Sequence, residues 1–195
     1  KLEERLSQLE SQINNVLAVQ ETVDNFIRTV TDLRQKVDDL ENRSRRNNLI
    51  IFGLEETENE SADELVETVK SNVFDKIRVN PVTIERMHRL GFKRDVSRPV
   101  IFRVADFREK LEILRNCNKL KGSNISVSED FSKEVRNVRG KLWACCATER
   151  GQGAKARLVF NKLSLNGKLF SWNERTNTRQ LVNQMSQRSS PNQQE

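Results

Sequence analysis

The chain has 195 residues, of which 35% are hydrophobic and 32% charged, with a formal net charge of +6. This balance is typical of a coiled-coil protein with small modules rather than of a single large-cored enzyme. No apolar run is long enough to span a bilayer and no signal peptide is visible, and because the chain begins at Lys1 we expect a fragment.

Cysteine and histidine do not favour a catalytic or metal site. Cys117, Cys145 and Cys146 lack C-x-x-C spacing, and His88 is the single imidazole. No P-loop or triad pattern appears either. We therefore expect a non-enzyme with no cofactor, no metal and no small-molecule substrate, whose cysteines are reduced and mostly packed, in an intracellular compartment.

Charge is divided unevenly along the chain. Residues 1–48 carry 8 basic and 9 acidic residues, 49–130 carry 14 and 15, and 131–195 carry 12 and 4. The middle is polarised as well, since 49–85 has 3 basic and 9 acidic residues and 86–121 has 11 and 4. This asymmetry predicts a polyanionic partner, with nucleic acid favoured over an anionic membrane surface. The alternative is a solvated charged face.

The first predicted element is a helical stalk over residues 1–48, without glycine or proline. Its apolar residues repeat every seven positions, with Gln20 in one seam position. After Val30 the spacing shortens by a three-residue stammer, which is either a register device or a tolerated irregularity. The seam residues are Leu2, Leu6, Leu9, Ile13, Val16, Val23, Ile27, Val30, Leu33, Val37 and Leu40.

A narrow seam of this kind needs partner chains, so the sequence predicts an oligomer. Valine at the d positions 16, 23 and 30 disfavours a parallel dimer. The segment from Arg5 through Leu6 and Leu9 to Glu10 matches the Arg-h-x-x-h-Glu pattern of parallel trimers. We therefore expect a homotrimer.

Residues 49–128 predict an α+β domain of ferredoxin-like, RNA recognition motif (RRM) type, with the order β-α-β-β-α-β. Strands are expected at 49–54, 82–90, 99–104 and 125–128, and helices from the Ser61 to Glu64 capping box and over 106–120. Phe52 and Phe102 are the aromatics on the two central strands, and we expect core positions for them rather than base platforms.

Residues 129–177 predict a small α+β C-terminal domain with a helix from Ser132 to about Thr148. Strands over 155–160 and 168–172 are expected to be joined through Asn166-Gly167, a hairpin signal. This segment is basic with interleaved aromatics, as recognition of single strands requires, although Trp143 and Trp172 are expected in the core. The Gln-, Asn- and Ser-rich residues 178–195 predict a disordered tail.

Several motifs together resemble the first-open-reading-frame protein of LINE-type non-LTR retrotransposons. The most specific is Glu41-Asn42-Arg43-Ser44-Arg45-Arg46-Asn47-Asn48, which follows a coiled coil and precedes a strand. Others are Arg98-Pro99-Val100-Ile101-Phe102-Arg103, Ser128-Glu129-Asp130-Phe131-Ser132, Lys162-Leu163 and Gly167-Lys168. The likeness covers roughly residues 1–175, and the chain ends without the long terminal helix of some relatives.

The resemblance implies a homotrimer that binds single-stranded RNA and DNA, acts as a nucleic-acid chaperone and coats its element's RNA. The expected location is a cytoplasmic ribonucleoprotein, with the nucleus as a second location, and no membrane partner is implied. Carried over by position, the nucleic-acid-binding residues are Arg45, Arg46, Arg98, Arg103, Arg136, Arg139, Arg157, Phe160 and Lys168. The alternative hypothesis is a coiled-coil scaffold whose modules bind proteins.

Overall fold

The structure is a computed structural model that describes residues 1–79, 83–92 and 96–182. The chain forms two compact units, Lys1–Ser44 and Arg45–Glu195. The first unit is helical, and the second contains two four-stranded antiparallel sheets with their helices.

Helix α1, Leu2–Arg45, runs through the first unit and confirms the long helix that the heptad predicted. None of its residues is buried, and its seam is exposed from Leu2 at 85% to Leu40 at 65%, apart from half-buried Val30. Leu17, Val19 and Phe26 are exposed outside the a and d positions, so the apolar stripe is wider than a strict seam. A single helix cannot bury this stripe, and the trimer stays a prediction.

The first sheet belongs to the second unit, and its elements follow one another in the predicted order. Its strands are β1 (Asn48–Phe52), β2 (Ile84–Arg89), β3 (Val100–Val104) and β4 (Ser126–Glu129), arranged spatially as β2-β3-β1-β4. Residue 82, where β2 was predicted to begin, lies outside the described residues.

Helices α2 (Ala62–Val69) and α3 (Asp75–Ile77) flank a π-helical segment, Lys70–Phe74, between β1 and β2. Helix α4 (Phe107–Asn116) and a 3₁₀ turn, Cys117–Leu120, lie between β3 and β4. The capping box of α2 has the expected geometry, since Ser61 Oγ accepts from Glu64 N at 3.2 Å and Ser61 N donates to the Glu64 carboxylate at 2.8 Å.

Alternation along β1 and β3 separates a helix-packed face from a helix-free face. Leu49, Ile51, Val100, Phe102 and Val104 are fully buried in one core cluster with residues of the helices. Phe102 meets the Phe74 ring edge-on at 5.7 Å, which confirms its core position. The expectation for Phe52 was wrong, because its parity turns it to the helix-free face, where it is 41% exposed.

The C-terminal part of the second unit places helices α5 (Lys133–Cys145) and α6 (Ala147–Gly151) before a meander of four strands. These are β5 (Ala156–Val159), β6 (Lys162–Leu165), β7 (Lys168–Asn173) and β8 (Thr178–Leu181), paired in sequence order. Leu142 and Cys146 pack on Leu163 and Leu165, with Trp172 partly buried against them. Trp143 is 37% exposed, so its predicted core position was wrong.

The strand prediction missed β6 and β8. Asn166 and Gly167 do form a tight turn, with φ of 49° and 81°, but the turn joins β6 to β7. The chain enters β6 through a turn at Phe160, whose φ of 48° is unusual for a bulky residue. Phenylalanine is not a residue type that predicts a turn, so the sequence does not signal it.

Strand β8 lies at the start of the segment that composition predicted as a disordered tail. It pairs with β7 because Asn173 Oδ1 accepts from the backbone N–H groups of Arg175 and Thr176 and closes the intervening turn. The tail prediction for residues 183–195 lies outside the described residues.

Gly53 should be the most sensitive glycine of the first sheet. Its φ is +75°, and a Cβ there would lie 1.9 Å from the backbone O of Asn124. We expect Gly53→Ala to destabilise the protein by about 3 kcal/mol or more, since it adds a backbone clash to the left-handed strain. Calorimetric unfolding of the full chain would measure this.

Gly122→Ala is the matched control, because Gly122 has φ of +91° but no described atom within 4 Å of the position that a Cβ would take. It should cost only about 1 kcal/mol, the strain alone. Equal losses of stability for the two variants would contradict the close approach of Gly53 to Asn124.

Candidate nucleic-acid interface

Arg98, predicted to bind nucleic acid, is held by Glu56. Its Nη2 and Nε donate to Oε1 of Glu56 at 2.6 and 3.0 Å, and its backbone N–H donates to Oε2 at 3.0 Å. The Glu56 side chain is 7% exposed. Hydrogen bonds from the Arg98 side chain and then from its backbone lower the pKa of Glu56 to about 2. Arg98 therefore fixes the acidic loop after β1.

Arg89 anchors the same loop and was missed by sequence reasoning. Its side chain is 4% exposed and donates to Glu60 Oε2 from Nε at 2.9 Å and to Oε1 from Nη2 at 2.8 Å. It also donates to the carbonyl oxygens of Leu54, Glu55 and Arg98. The signal that could have found it is its strand parity, which it shares with the core residue Met87.

Arg45 also forms an ion pair with a buried carboxylate. Its Nη1 donates to Asp130 Oδ2 at 2.8 Å, Asn48 Nδ2 donates to the same oxygen at 3.0 Å, and the Asp130 side chain is 2% exposed. Nearby, Lys110 is 3% exposed, and its Nζ lies 2.6 Å from the Arg46 carbonyl and 3.1 Å from Glu129 Oε1. These contacts explain structurally two of the sequence motifs, those around Arg45 and Asp130.

Arg103 lies on the helix-free face of the first sheet, where its Nε is 2.7 Å from Glu85 Oε2. Both side chains are partly exposed, so this pair is weaker than the buried ones. Glu56, Glu60 and Glu85 are three of the nine acidic residues of 49–85, and Arg89, Arg98 and Arg103 are three of the eleven basic residues of 86–121. These pairs neutralise part of the polarity of the middle segment within the unit, so it is weaker evidence for a polyanion than the sequence indicated.

Arg139, from α5, organises the turn that precedes β6. Its guanidinium lies 4.4 Å from the centroid of the Phe131 ring, and its Nη1 donates to the Phe160 carbonyl at 2.6 Å. The Phe131 and Phe160 rings meet edge-on at 5.8 Å, while Phe160 stays 47% exposed. Burial lowers the pKa of Arg139, opposed by the charge of Glu129. The arginine thus presents the Phe160 ring to solvent.

The remaining predicted cations are exposed. Arg46 lies over the Phe107 ring at 4.3 Å, and Arg136, Arg157 and Lys168 form no ion pair with a carboxylate in the described part of the chain. Arg157 pairs in register with Ser164, whereas Lys168 pairs with Leu165, which faces the core. Strand alternation therefore places these two side chains on opposite faces of the second sheet.

One face of the second sheet is packed on α5, and the other carries polar residues. This outer face is defined by Arg157, Val159, Lys162, Ser164, Leu169, Ser171 and Gln180. Its described residues hold two cations and no carboxylate. The arrangement suits a phosphate backbone.

The described residues contain no cluster of three or more potential metal ligands. Cys117 is half-buried, Cys145 exposed and Cys146 buried, all as free thiols. Among the helices of the described residues, none combines the length and the apolar character that crossing a membrane requires.

The Glu56–Arg98 pair predicts a pH dependence of stability. Because the folded pKa of Glu56 is depressed from 4.5 to about 2, its contribution is fully present above 4.5 and is lost as the pH falls towards 2. Glu56→Gln should flatten the fall of melting temperature across this window. Glu58→Gln, at a neighbouring exposed position, should leave the fall unchanged. Identical profiles for the wild type and Glu56→Gln would contradict the pairing.

The chain is similar in sequence to a known protein. No family model matches the chain. The chain is 28% identical over 184 residues to the LINE-1 retrotransposable element ORF1 protein of Mus musculus, an alignment that covers 85% of this chain and 49% of the relative. The chain thus spans about half the length of that protein. The similarity confirms the resemblance to LINE-type first-open-reading-frame proteins, at the level of a distant relative.

Proposed function

We propose that the protein binds single-stranded RNA and DNA without enzymatic activity and coats the RNA of its retrotransposon. The observation that carries this proposal is the unneutralised charge of the C-terminal part, where Arg136, Arg157 and Lys168 are exposed without a described carboxylate partner. Phosphate contacts and counterion release would supply most of the affinity. The similarity to a LINE-1 ORF1 protein supports the same function.

We propose that the first sheet and its helices form an RRM-type domain of the ferredoxin-like class. The spatial order β2-β3-β1-β4, with the core helices packed on one face, supports it. Ile50 and Ile101, each buried at 7% exposure, occupy the centre of the helix-free face, where this class usually carries stacking aromatics, and Phe52 is the exposed ring there. Base stacking on this sheet is therefore limited, and recognition is weakly selective for sequence.

We propose that the stalk assembles three chains. The exposed seam, the valines at d and the Arg5 to Glu10 pattern support a parallel trimer. Linking three binding sites raises their effective concentration on one strand.

Many weak and exchangeable phosphate contacts are also what a nucleic-acid chaperone needs. The resulting particle would be a cytoplasmic ribonucleoprotein, with the nucleus as a second location.

A coiled-coil scaffold that binds proteins is the second candidate. Phe26, 69% exposed outside the a and d positions, together with Leu17 and Val19, favours it. These residues could instead complete the seam of the trimer. Failure to bind single-stranded RNA at low salt would favour the scaffold.

Arg157→Ala tests the binding proposal through fluorescence anisotropy of a labelled single-stranded oligonucleotide at several salt concentrations. We expect weaker binding and a smaller slope of log affinity against log salt, by about 0.7 for each phosphate that is no longer neutralised. Stability should change by no more than about 0.5 kcal/mol, since the residue is exposed.

Arg98→Ala provides the contrast, because Arg98 is paired with Glu56. It should lower the melting temperature while leaving the salt slope of the folded protein unchanged. A flattened slope for Arg98→Ala with no loss of stability would instead assign Arg98 to the interface.

Sedimentation equilibrium tests the trimer, with an expected mass three times the 22.7 kDa of one chain. Ile13→Asp should shift the mass towards the monomer, because it places a charge in the seam. The control Gln8→Asp, outside the seam, should keep the assembly. A wild-type mass of one or two chains would contradict the proposal.

A further inference from the structure

The outer side of α5 carries a stripe that the predicted interface leaves unused. Val135, Val138 and Leu142 lie on the inner side of this helix, buried or partly buried. The outer positions, at spacings of three and four, share one helical face and are all exposed. They are Lys133, Arg136, Gly140 and Trp143.

Trp143 is the aromatic member of this stripe, 37% exposed, with a ring that offers a flat surface for stacking. Its ring is held from one side by Arg150, whose guanidinium carbon lies 3.9 Å from the centroid. Arg150 Nη2 also donates to the Trp143 carbonyl at 3.3 Å. The cation thus fixes the ring orientation before any ligand arrives.

Gly140 leaves the helix surface bare one turn before Trp143. A Cβ added there would meet no described side chain and no backbone from another element within 4 Å, so nothing covers the helix surface at this position. Arg136 and Trp143 are about 10 Å apart along the helix axis, a gap that the long arginine side chain can shorten. A flat group stacked on the ring face away from Arg150 would lie on an indole already backed by one cation, with Arg136 as a second cation on the same helical face.

We propose that Trp143 is a stacking platform for one unpaired base of single-stranded nucleic acid, with Arg136 neutralising a neighbouring phosphate. This inference rests on the proposed function and adds a specific subsite to it. Stacking on an aromatic ring beside cations is how single strands are held without sequence preference. A protein-docking surface would carry an apolar core, whereas Trp143 has cations and a bare glycine on this stripe.

Intrinsic fluorescence can test the platform, because the chain has two tryptophans and no tyrosine. Trp172→Phe leaves Trp143 as the single indole emitter, and Trp143→Phe leaves Trp172, which is partly buried against the core. On addition of an oligouridylate, we expect quenching in the Trp172→Phe protein and none in the Trp143→Phe protein. Anisotropy of a labelled oligouridylate would report binding in both.

Affinity supplies the second readout. Trp143→Ala should weaken binding by roughly five- to a hundredfold, the range for losing one stacked base, while Trp143→Phe should retain most of the affinity. Val66→Ala, an exposed apolar position of 40% exposure on α2, should leave affinity unchanged.

The outcomes separate the two proposals. Binding by anisotropy without quenching of Trp143, and with unchanged affinity in Trp143→Ala, would overturn the platform and leave the proposed function standing. Absence of any anisotropy change in the wild-type protein would overturn both.

Discussion

The second unit depends on arginines that neutralise carboxylates removed from water. Glu56, Glu60 and Asp130 have side chains only 7%, 7% and 2% exposed. A carboxylate in such a place is costly unless it is paired and hydrogen-bonded. Arg98, Arg89 and Arg45 meet this demand with two or more hydrogen bonds each, and in doing so they fix the loop after β1 and the junction before α5.

This constraint divides the cations of the protein into two groups. The first group consists of Arg45, Arg89 and Arg98, which are committed to buried carboxylates of the same unit and position backbone. In the C-terminal part, Lys141 pairs with Glu174 and Arg179 with Glu149. The second group consists of Arg136, Arg157 and Lys168, which are exposed and form no ion pair with a described carboxylate. Arg139 belongs to neither group, since it stacks on Phe131 and holds the Phe160 turn. The proposed binding function follows from the second group.

Local signals were predicted well from the sequence because their physics is local. The capping box at Ser61, the Asn166-Gly167 turn and the helix of the stalk each depend on residues within a few positions. The core position of Phe102 was also predicted, although the same prediction was wrong for Phe52.

Other features depend on contacts that spacing does not reveal. Arg98 and Glu56 are 42 positions apart, and Arg45 and Asp130 are 85 apart, so the sequence could not show that these arginines are already occupied. Strand β6 was missed because Phe160 adopts a left-handed turn conformation that the sequence does not signal. Trp143 was assigned to the core by residue type, whereas the helical phase of α5 turns it outwards. The composition of the segment from residue 178 predicted disorder, whereas β8 forms there because the turn at Asn173 brings it beside β7.

The division of the arginines can be tested by modification of the full-length protein with an arginine-specific dicarbonyl reagent, read out by mass spectrometry with and without a single-stranded oligonucleotide. Arg136 and Arg157 should react in the free protein and be protected by the oligonucleotide. Arg89 and Arg98 should stay unreactive in both states. Reaction of Arg98 as fast as Arg157, followed by its protection on binding, would contradict this division.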